Sequence, residues 1–176
     1  MNRVFLIGYM GAGKTTLGKA MALSMNVPFV DLDWYIEGRF HKTIREIFAE
    51  QGESRFRELE RKMLHEVGDF EDVIVSTGGG TPCFFDNIDY MNRQGKTVFL
   101  DVDTEVLFQR LRIATSKRPI LRGKTDEELH EFIEKALAQR LPFYEKASFR
   151  FNANNLDTRN EINESVKQLK RLLGLI

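Results

Sequence analysis

A strand-like apolar run, Val4-Phe5-Leu6-Ile7, passes directly into Gly8-Tyr9-Met10-Gly11-Ala12-Gly13-Lys14-Thr15-Thr16. This is G-x-x-x-x-G-K-T between a strand and a helix start, and it commits the chain to an α/β architecture with a tight turn at a helix N-terminus. The glycines let backbone N–H groups converge on an anion that Cβ atoms would obstruct. The helix end adds its dipole and free amides. In such a loop Gly11, Ala12, Gly13, Lys14, Thr15 and Thr16 surround the phosphates of a nucleotide. Lys14 can reach the β- and γ-phosphates, and the Thr15 hydroxyl can ligate Mg²⁺.

The rest of the 176 residues alternate short apolar runs with amphipathic stretches. Strands are expected at 3–7, 28–32, 73–77, 97–102 and 148–152. Helices are expected near 14–25, 34–39, 43–50, 53–67, 82–93, 104–113, 126–144 and 158–174. This alternation predicts a mainly parallel sheet covered by helices on both faces. Thr43 with Glu46, Thr125 with Glu128 and Thr158 with Glu161 have capping-box spacing. Pro82 suits a helix start. The length fits one domain, 1–176, with the phosphate loop at 8–16.

Charge narrows the partners. Lys plus Arg and Asp plus Glu are each 26, so the net charge is zero, which disfavours nucleic acid or an anionic membrane. No apolar run reaches membrane-spanning length. The chain enters a strand within four residues, so no signal peptide is expected. A single cysteine, Cys83, excludes an internal disulfide framework. A cytoplasmic protein is expected, with monomer as the default state.

In an open parallel sheet, ligands sit beyond the carboxyl ends of the strands. The second strand ends Asp31-Leu32-Asp33. Side chains two apart in a strand share a face, so both carboxylates are expected to point into one crevice. Asp31 would hold Mg²⁺ through water, and Asp33 would face a second substrate. The alternative is that they cap the following helix. The third strand runs into Gly78-Gly79-Gly80, more glycine than a turn needs, which suggests a ligand against the main chain.

Two arginines stand at or within apolar helical stripes. Arg57 edges the stripe Phe56, Leu59, Glu60, Met63, Val67, and Arg140 falls inside Leu129, Phe132, Ile133, Ala136, Leu137, Leu141, Tyr144. An arginine on an apolar face needs a partner. A bound carboxylate suits a pair of planar forks, although snorkelling or favourable placement near a helix end is the bland alternative for Arg140. Residues 112–124 carry Arg112, Lys117, Arg118, Arg122 and Lys124 with no acid, as a lid over phosphates would, the alternatives being a solvated loop or a small nucleic-acid patch, the latter weakened by the neutral net charge. Asp101 after Val98-Phe99-Leu100 could be read as a metal carboxylate, but it reads equally well as a strand end, and Asp31 already supplies that candidate. A guanine-reading N-K-x-D is absent, leaving ATP as the default nucleotide and a small-molecule kinase as the favoured class.

These motifs together resemble the shikimate kinases over nearly the whole chain. The resemblance rests on Gly8 to Thr16, Asp31-Leu32-Asp33, Gly52-Glu53-Ser54-Arg55-Phe56-Arg57 and Gly78-Gly79-Gly80. It continues in Lys117-Arg118-Pro119-Ile120-Leu121 and Arg140-Leu141-Pro142-Phe143-Tyr144. It implies a P-loop NTPase-type three-layer α/β sandwich, with a five-stranded parallel sheet in the order 2-3-1-4-5. It implies transfer of the γ-phosphoryl of MgATP to the 3-hydroxyl of shikimate, on the route to chorismate and aromatic amino acids. By the same resemblance Asp33, Arg57, Gly79 and Arg140, with the flanking Gly78 and Gly80, form the shikimate site within a substrate segment near 33–60 and beyond. Lys14 and the lid residue Arg118 are the catalytic cations, Asp33 meets the hydroxyls, and Thr15 and Asp31 hold the metal. Before the lid arginine this chain is one residue longer than the common family spacing. The adenine-stacking arginine is therefore Arg110, with Arg112 the alternative. The segment 152–157 lacks the arginine or proline frequent in the family.

Competing readings are a gluconate or nucleoside-monophosphate kinase, or a non-catalytic ATP-dependent module on the same fold.

Overall fold

A computed structural model describes residues 2–114 and 123–176. The strands are β1 (Arg3–Ile7), β2 (Phe29–Asp31), β3 (Val73–Ser76), β4 (Lys96–Asp101) and β5 (Phe149–Asn152). They form one sheet in the order β2-β3-β1-β4-β5. Every pairing is parallel: Phe5 stands opposite Val75 on one side and Thr97 on the other, Val30 opposite Val75, and Leu100 opposite Phe151. This is the expected three-layer class with the expected strand order.

Seven α-helices surround the sheet among the described residues: α1 (Lys14–Met25), α2 (Leu32–Phe40), α3 (Ile44–Gly68), α4 (Asn87–Gln94), α5 (Thr104–Ala114), α6 (Asp126–Tyr144) and α7 (Arg159–Leu172). Burial explains the arrangement. Val4, Phe5, Leu6 and Ile7 of β1 are all fully buried, as a central parallel strand covered on both faces requires. They join Leu17 and Met21 of α1, Met63 and Leu64 of α3, and Ile133 and Tyr144 of α6 in one apolar core.

Local chemistry sets most helix ends. Thr43 and Thr158 make complete capping boxes with Glu46 and Glu161. Thr125 accepts from the Glu128 amide. The two helices expected at 43–50 and 53–67 form one element interrupted at Gly52, whose φ of 80° is non-helical and suits only glycine.

Two expectations need correction. Pro82 does not open a long helix. It sits in a short 3₁₀ turn, Thr81–Cys83, and Phe85 then adopts a φ of 51° before α4 begins at Asn87. The fixed φ of proline suits the first turn of either helix type, so it cannot choose between them. Second, β2 stops at Asp31 and α2 starts at Leu32. Asp31 and Asp33 therefore do not share a strand face. Asp31 caps α2, accepting the Trp34 amide at 3.1 Å, so the capping alternative holds for this residue. Asp33 reaches the crevice from the first turn of the helix.

Candidate active site

Three chain segments meet at the carboxyl edge of the sheet beside a cleft of about 620 Å³, which Asp33, Gly78 and Gly79 line and from which Arg57, Gly80 and Arg140 are set back. The first is the phosphate loop. Gly11 and Gly13 have φ of 81° and 95°, and Gly13 is the N-cap of α1 without a side-chain cap. The first-turn amides of α1 are thus left for an anion. Gly13 is also tightly packed, because a Cβ there would collide with Leu156 Cδ1. Lys14 Nζ donates to the carbonyls of Gly8 at 2.6 Å and Tyr9 at 2.9 Å. Ala12, Thr15 and Thr16 also line the cleft. The Thr15 hydroxyl donates to Asp31 Oδ2 at 3.2 Å. These two hard oxygen donors fit Mg²⁺, which takes few protein ligands and keeps several waters.

The second segment is the acceptor end. The three glycines are crowded by three different side chains. A Cβ on Gly78 would stand 3.1 Å from Asp33 Oδ1, one on Gly79 would stand 2.9 Å from Arg140 Nη1, and one on Gly80 would stand 2.8 Å from both terminal nitrogens of Arg57. Glycine here makes room for the charged groups, which explains why three occur in a row.

Behind Arg57 lies Glu60, 1% exposed, whose Oε1 is 3.0 Å from Arg57 Nη1. Thr81 Oγ1 donates to the other Glu60 oxygen at 2.9 Å. Arg57 also lies across the Phe84 ring, 4.1 Å from its centroid. The guanidinium is therefore oriented by Glu60 and the Phe84 ring, and its buried Nε faces Glu53 Oε1 at 3.5 Å. Arg57 stands at the edge of its stripe as expected, with its side chain largely buried beside Glu60. Glu60 is a functional residue that the motifs do not mark; its one signal in the sequence is an acid on an apolar stripe, equal in kind to Arg140.

Electrostatics distinguish the carboxylates. Burial, then the negative charges of Glu60 and Asp31, push the Asp33 carboxyl up to about 6, and Lys14 opposes them. Burial also raises Glu60, against the pull of Arg57 and Thr81.

Arg140 stands 5.6 Å from the Tyr9 ring centroid. One turn further along α6, the buried Tyr144 hydroxyl donates to the Gly79 carbonyl at 2.6 Å. Burial lifts the Tyr144 pKa far above the ordinary phenol value, so it remains a donor at all working pH. Tyr144→Phe leaves that carbonyl unpaired and is expected to cost about 1–2 kcal/mol. Thermal unfolding should show a loss of roughly 3–6 °C.

The third segment closes the nucleotide end. Arg110 donates to the carbonyls of Gly11 at 3.1 Å, Ala153 at 2.8 Å and Asn154 at 2.9 Å. Arg110 lines the cleft with Leu156 and Asp157. Arg112 is exposed and pairs with Asp126 at 3.5 Å. Asp101 pairs with Arg150 at 2.9 Å and lines a separate hollow, so it is not a cleft carboxylate. Arg118 and most of the expected lid, 112–124, lie outside the described residues.

A parallel 2-3-1-4-5 sheet with its phosphate loop beside a carboxylate-and-arginine pocket defines the class of small P-loop kinases. The shikimate kinase family model matches residues 10–170. A shikimate kinase of Bacteroides fragilis is 63% identical over 99% of this chain and 98% of its own length. The crystal structure of shikimate kinase from Bacteroides thetaiotaomicron superposes with a TM-score of 0.96 at 63% identity, covering 98% of each chain. Shikimate kinase from Acinetobacter baumannii, in complex with shikimate, gives a TM-score of 0.84 at 29% identity over 99% of this chain and 94% of that one. The chain belongs to the shikimate kinase family. A gluconokinase from Sinorhizobium meliloti, 17% identical with a TM-score of 0.61, shares the fold alone.

Proposed function

We propose that this enzyme transfers the γ-phosphoryl group of ATP to the 3-hydroxyl of shikimate, giving shikimate 3-phosphate and ADP. We place it in the cytoplasm as a monomer without nucleic-acid or membrane partners. The observation that carries the reading is the gathering of Asp33, Arg57 and Arg140 around Gly78–Gly80, next to the phosphate loop.

The chemistry follows from that placement. Arg57 and Arg140 would grip the acceptor carboxylate, and Asp33 would accept a hydrogen bond from the reacting hydroxyl. The hydroxyl oxygen forms the new bond to the γ-phosphorus as the bond to the β,γ-bridging oxygen breaks, and its proton passes to Asp33. A carboxyl near 6 is close enough to neutral pH for that transfer. Phosphoryl transfer depends on positioning and charge neutralisation more than on covalent help. Lys14 and the α1 amides would hold the phosphates in line. Arg118 would add a cation from the lid, and Arg110 would face adenine. Thr15, and Asp31 through water, would hold Mg²⁺, which neutralises phosphate charge when bound.

A coupled assay tests the reading. ATP should be consumed only when shikimate is present, and gluconate or nucleoside monophosphates should not replace it. Arg140→Ala should raise the KM for shikimate by about 10–100-fold, the loss of one charge-assisted fork, and change the KM for ATP less than about threefold. Equal losses for both substrates would refute the assignment.

A further inference from the structure

We propose that Asp31 is a positioning residue that couples the metal–nucleotide end of the cleft to the acceptor end, by dividing its two carboxylate oxygens between them. The inference rests on the function proposed above and assigns Asp31 a task beyond holding a hydrated cation.

The geometry is direct. Oδ2 accepts the Thr15 hydroxyl at 3.2 Å, and Oδ1 accepts the Trp34 amide at 3.1 Å. Thr15 stands in the first turn of α1, under the phosphate loop. Trp34 stands in the first turn of α2, one residue after Asp33. One planar group therefore ties the helix under the nucleotide to the helix that presents the acceptor carboxylate.

The two bonds respond differently to ligands. Thr15 Oγ1 would donate more strongly to Oδ2 when its hydroxyl also holds a cation. The Asp31 carboxylate would also be drawn toward that charge. Because the carboxylate is rigid, holding Oδ2 holds Oδ1, and with it the N-terminus of a helix only nine residues long. Asp33 is then kept in its working position. The reverse follows by linkage: an acceptor seated on Asp33 steadies α2, hence Asp31, and metal–nucleotide binding tightens by the same factor. A single cap contact carries a modest coupling, about fivefold.

Trp34 supplies a readout that needs no turnover. It is the single tryptophan in the chain, lines the cleft, and is 55% exposed with Lys19 Nζ 4.7 Å from its ring centroid. Shikimate is titrated by Trp34 fluorescence into the free enzyme and into its MgADP complex, each at saturating MgADP for the variant in hand. The wild type should bind shikimate about fivefold more tightly with MgADP, and ADP in EDTA should give no gain. Asp31→Asn keeps a carbonyl oxygen for the cap and presents an amide toward Thr15, where a hydroxyl can no longer donate. It should bind shikimate in the free enzyme within about twofold of wild type and lose the gain from MgADP. Full coupling in Asp31→Asn overturns the inference and leaves the proposed function standing. A wild type that neither binds nor phosphorylates shikimate overturns both. Should Asp31→Asn fail to fold, Asp31→Glu keeps the charge that attracts a cation but moves both oxygens off Thr15 and the Trp34 amide. The same loss is expected there, and retained coupling overturns the inference.

Discussion

Asp33→Asn should yield a protein that is more stable than wild type and nearly inactive. The folded carboxyl titrates at about 6 against 3.8 for the ordinary group, so the folded state holds its proton to higher pH than the unfolded chain. The contribution of Asp33 to stability is therefore fully present below about pH 4. It is lost as pH rises toward 6 and stays lost above it. Asparagine resembles the protonated acid at every pH. A shift of about two pH units corresponds to nearly 3 kcal/mol. Asp33 retains some contact with solvent, and a carboxylate in a helix first turn gains about 0.5 kcal/mol from the dipole. The net gain for the asparagine variant should be about 2 kcal/mol at pH 7.5, or roughly 4–8 °C in Tm, falling to nothing near pH 4. Turnover should fall by about 10²–10⁴-fold, the usual worth of a positioned proton acceptor. In the wild type, kcat/KM should decline below about pH 6, and the variant's residual activity should lack that limb. A variant no more stable than wild type at pH 7.5, or one turning over within tenfold of it, would contradict the assignment. The cost at Asp33 is local: removing Arg57 instead would leave Glu60 buried without its cation and should destabilise the protein.

The sequence pattern and the coordinates agree best where one physical rule acts alone. Val4–Ile7 is a continuous apolar run because β1 is covered on both faces, and its bounds were readable to the residue. α1 and α6 also begin and end where periodicity and capping place them. The glycine run was legible as a close approach, but the approaching groups were not. That Arg57, Arg140 and Asp33 each take the space of one missing Cβ is a tertiary fact spanning more than a hundred residues. The Asp31–Asp33 pair shows how a correct outcome can follow from a wrong local premise. Strand alternation put both carboxylates on one face. The chain instead turns helical after Asp31, and the first turn of α2 returns Asp33 to the crevice. Glu60 is hard to read from the sequence because its partner, Arg57, sits three residues away on the same helix and can equally be satisfied by an external ligand. An acid on an apolar stripe carries the same desolvation cost as an arginine there and calls for the same question.

Lys14→Met should abolish turnover while leaving a folded protein that still binds the acceptor. Met preserves the length and apolar stem of the side chain and removes the ammonium. Nζ bridges the carbonyls of Gly8 and Tyr9, both buried residues, and losing those part-buried bonds should cost about 1–3 kcal/mol, small enough to leave the fold intact. The kinetic loss should be far larger. In the working enzyme the same nitrogen would swing to the β- and γ-phosphates, where charge develops during transfer. Single cationic or hydrogen-bonding groups aimed at such charge are worth roughly 10²–10⁵-fold. A fall of at least about 10³-fold in kcat is expected, with a wild-type circular dichroism spectrum. Trp34 fluorescence should still report shikimate binding in the absence of nucleotide, because Asp33, Arg57 and Arg140 remain around the three glycines. Removing that charge should push the Asp33 pKa still higher, since Lys14 is the group that opposes burial there. The onset of acceptor binding in the variant should therefore move to higher pH than in wild type. A folded Lys14→Met enzyme turning over within tenfold of wild type would contradict the role, and an unmoved binding profile would contradict the charge coupling to Asp33.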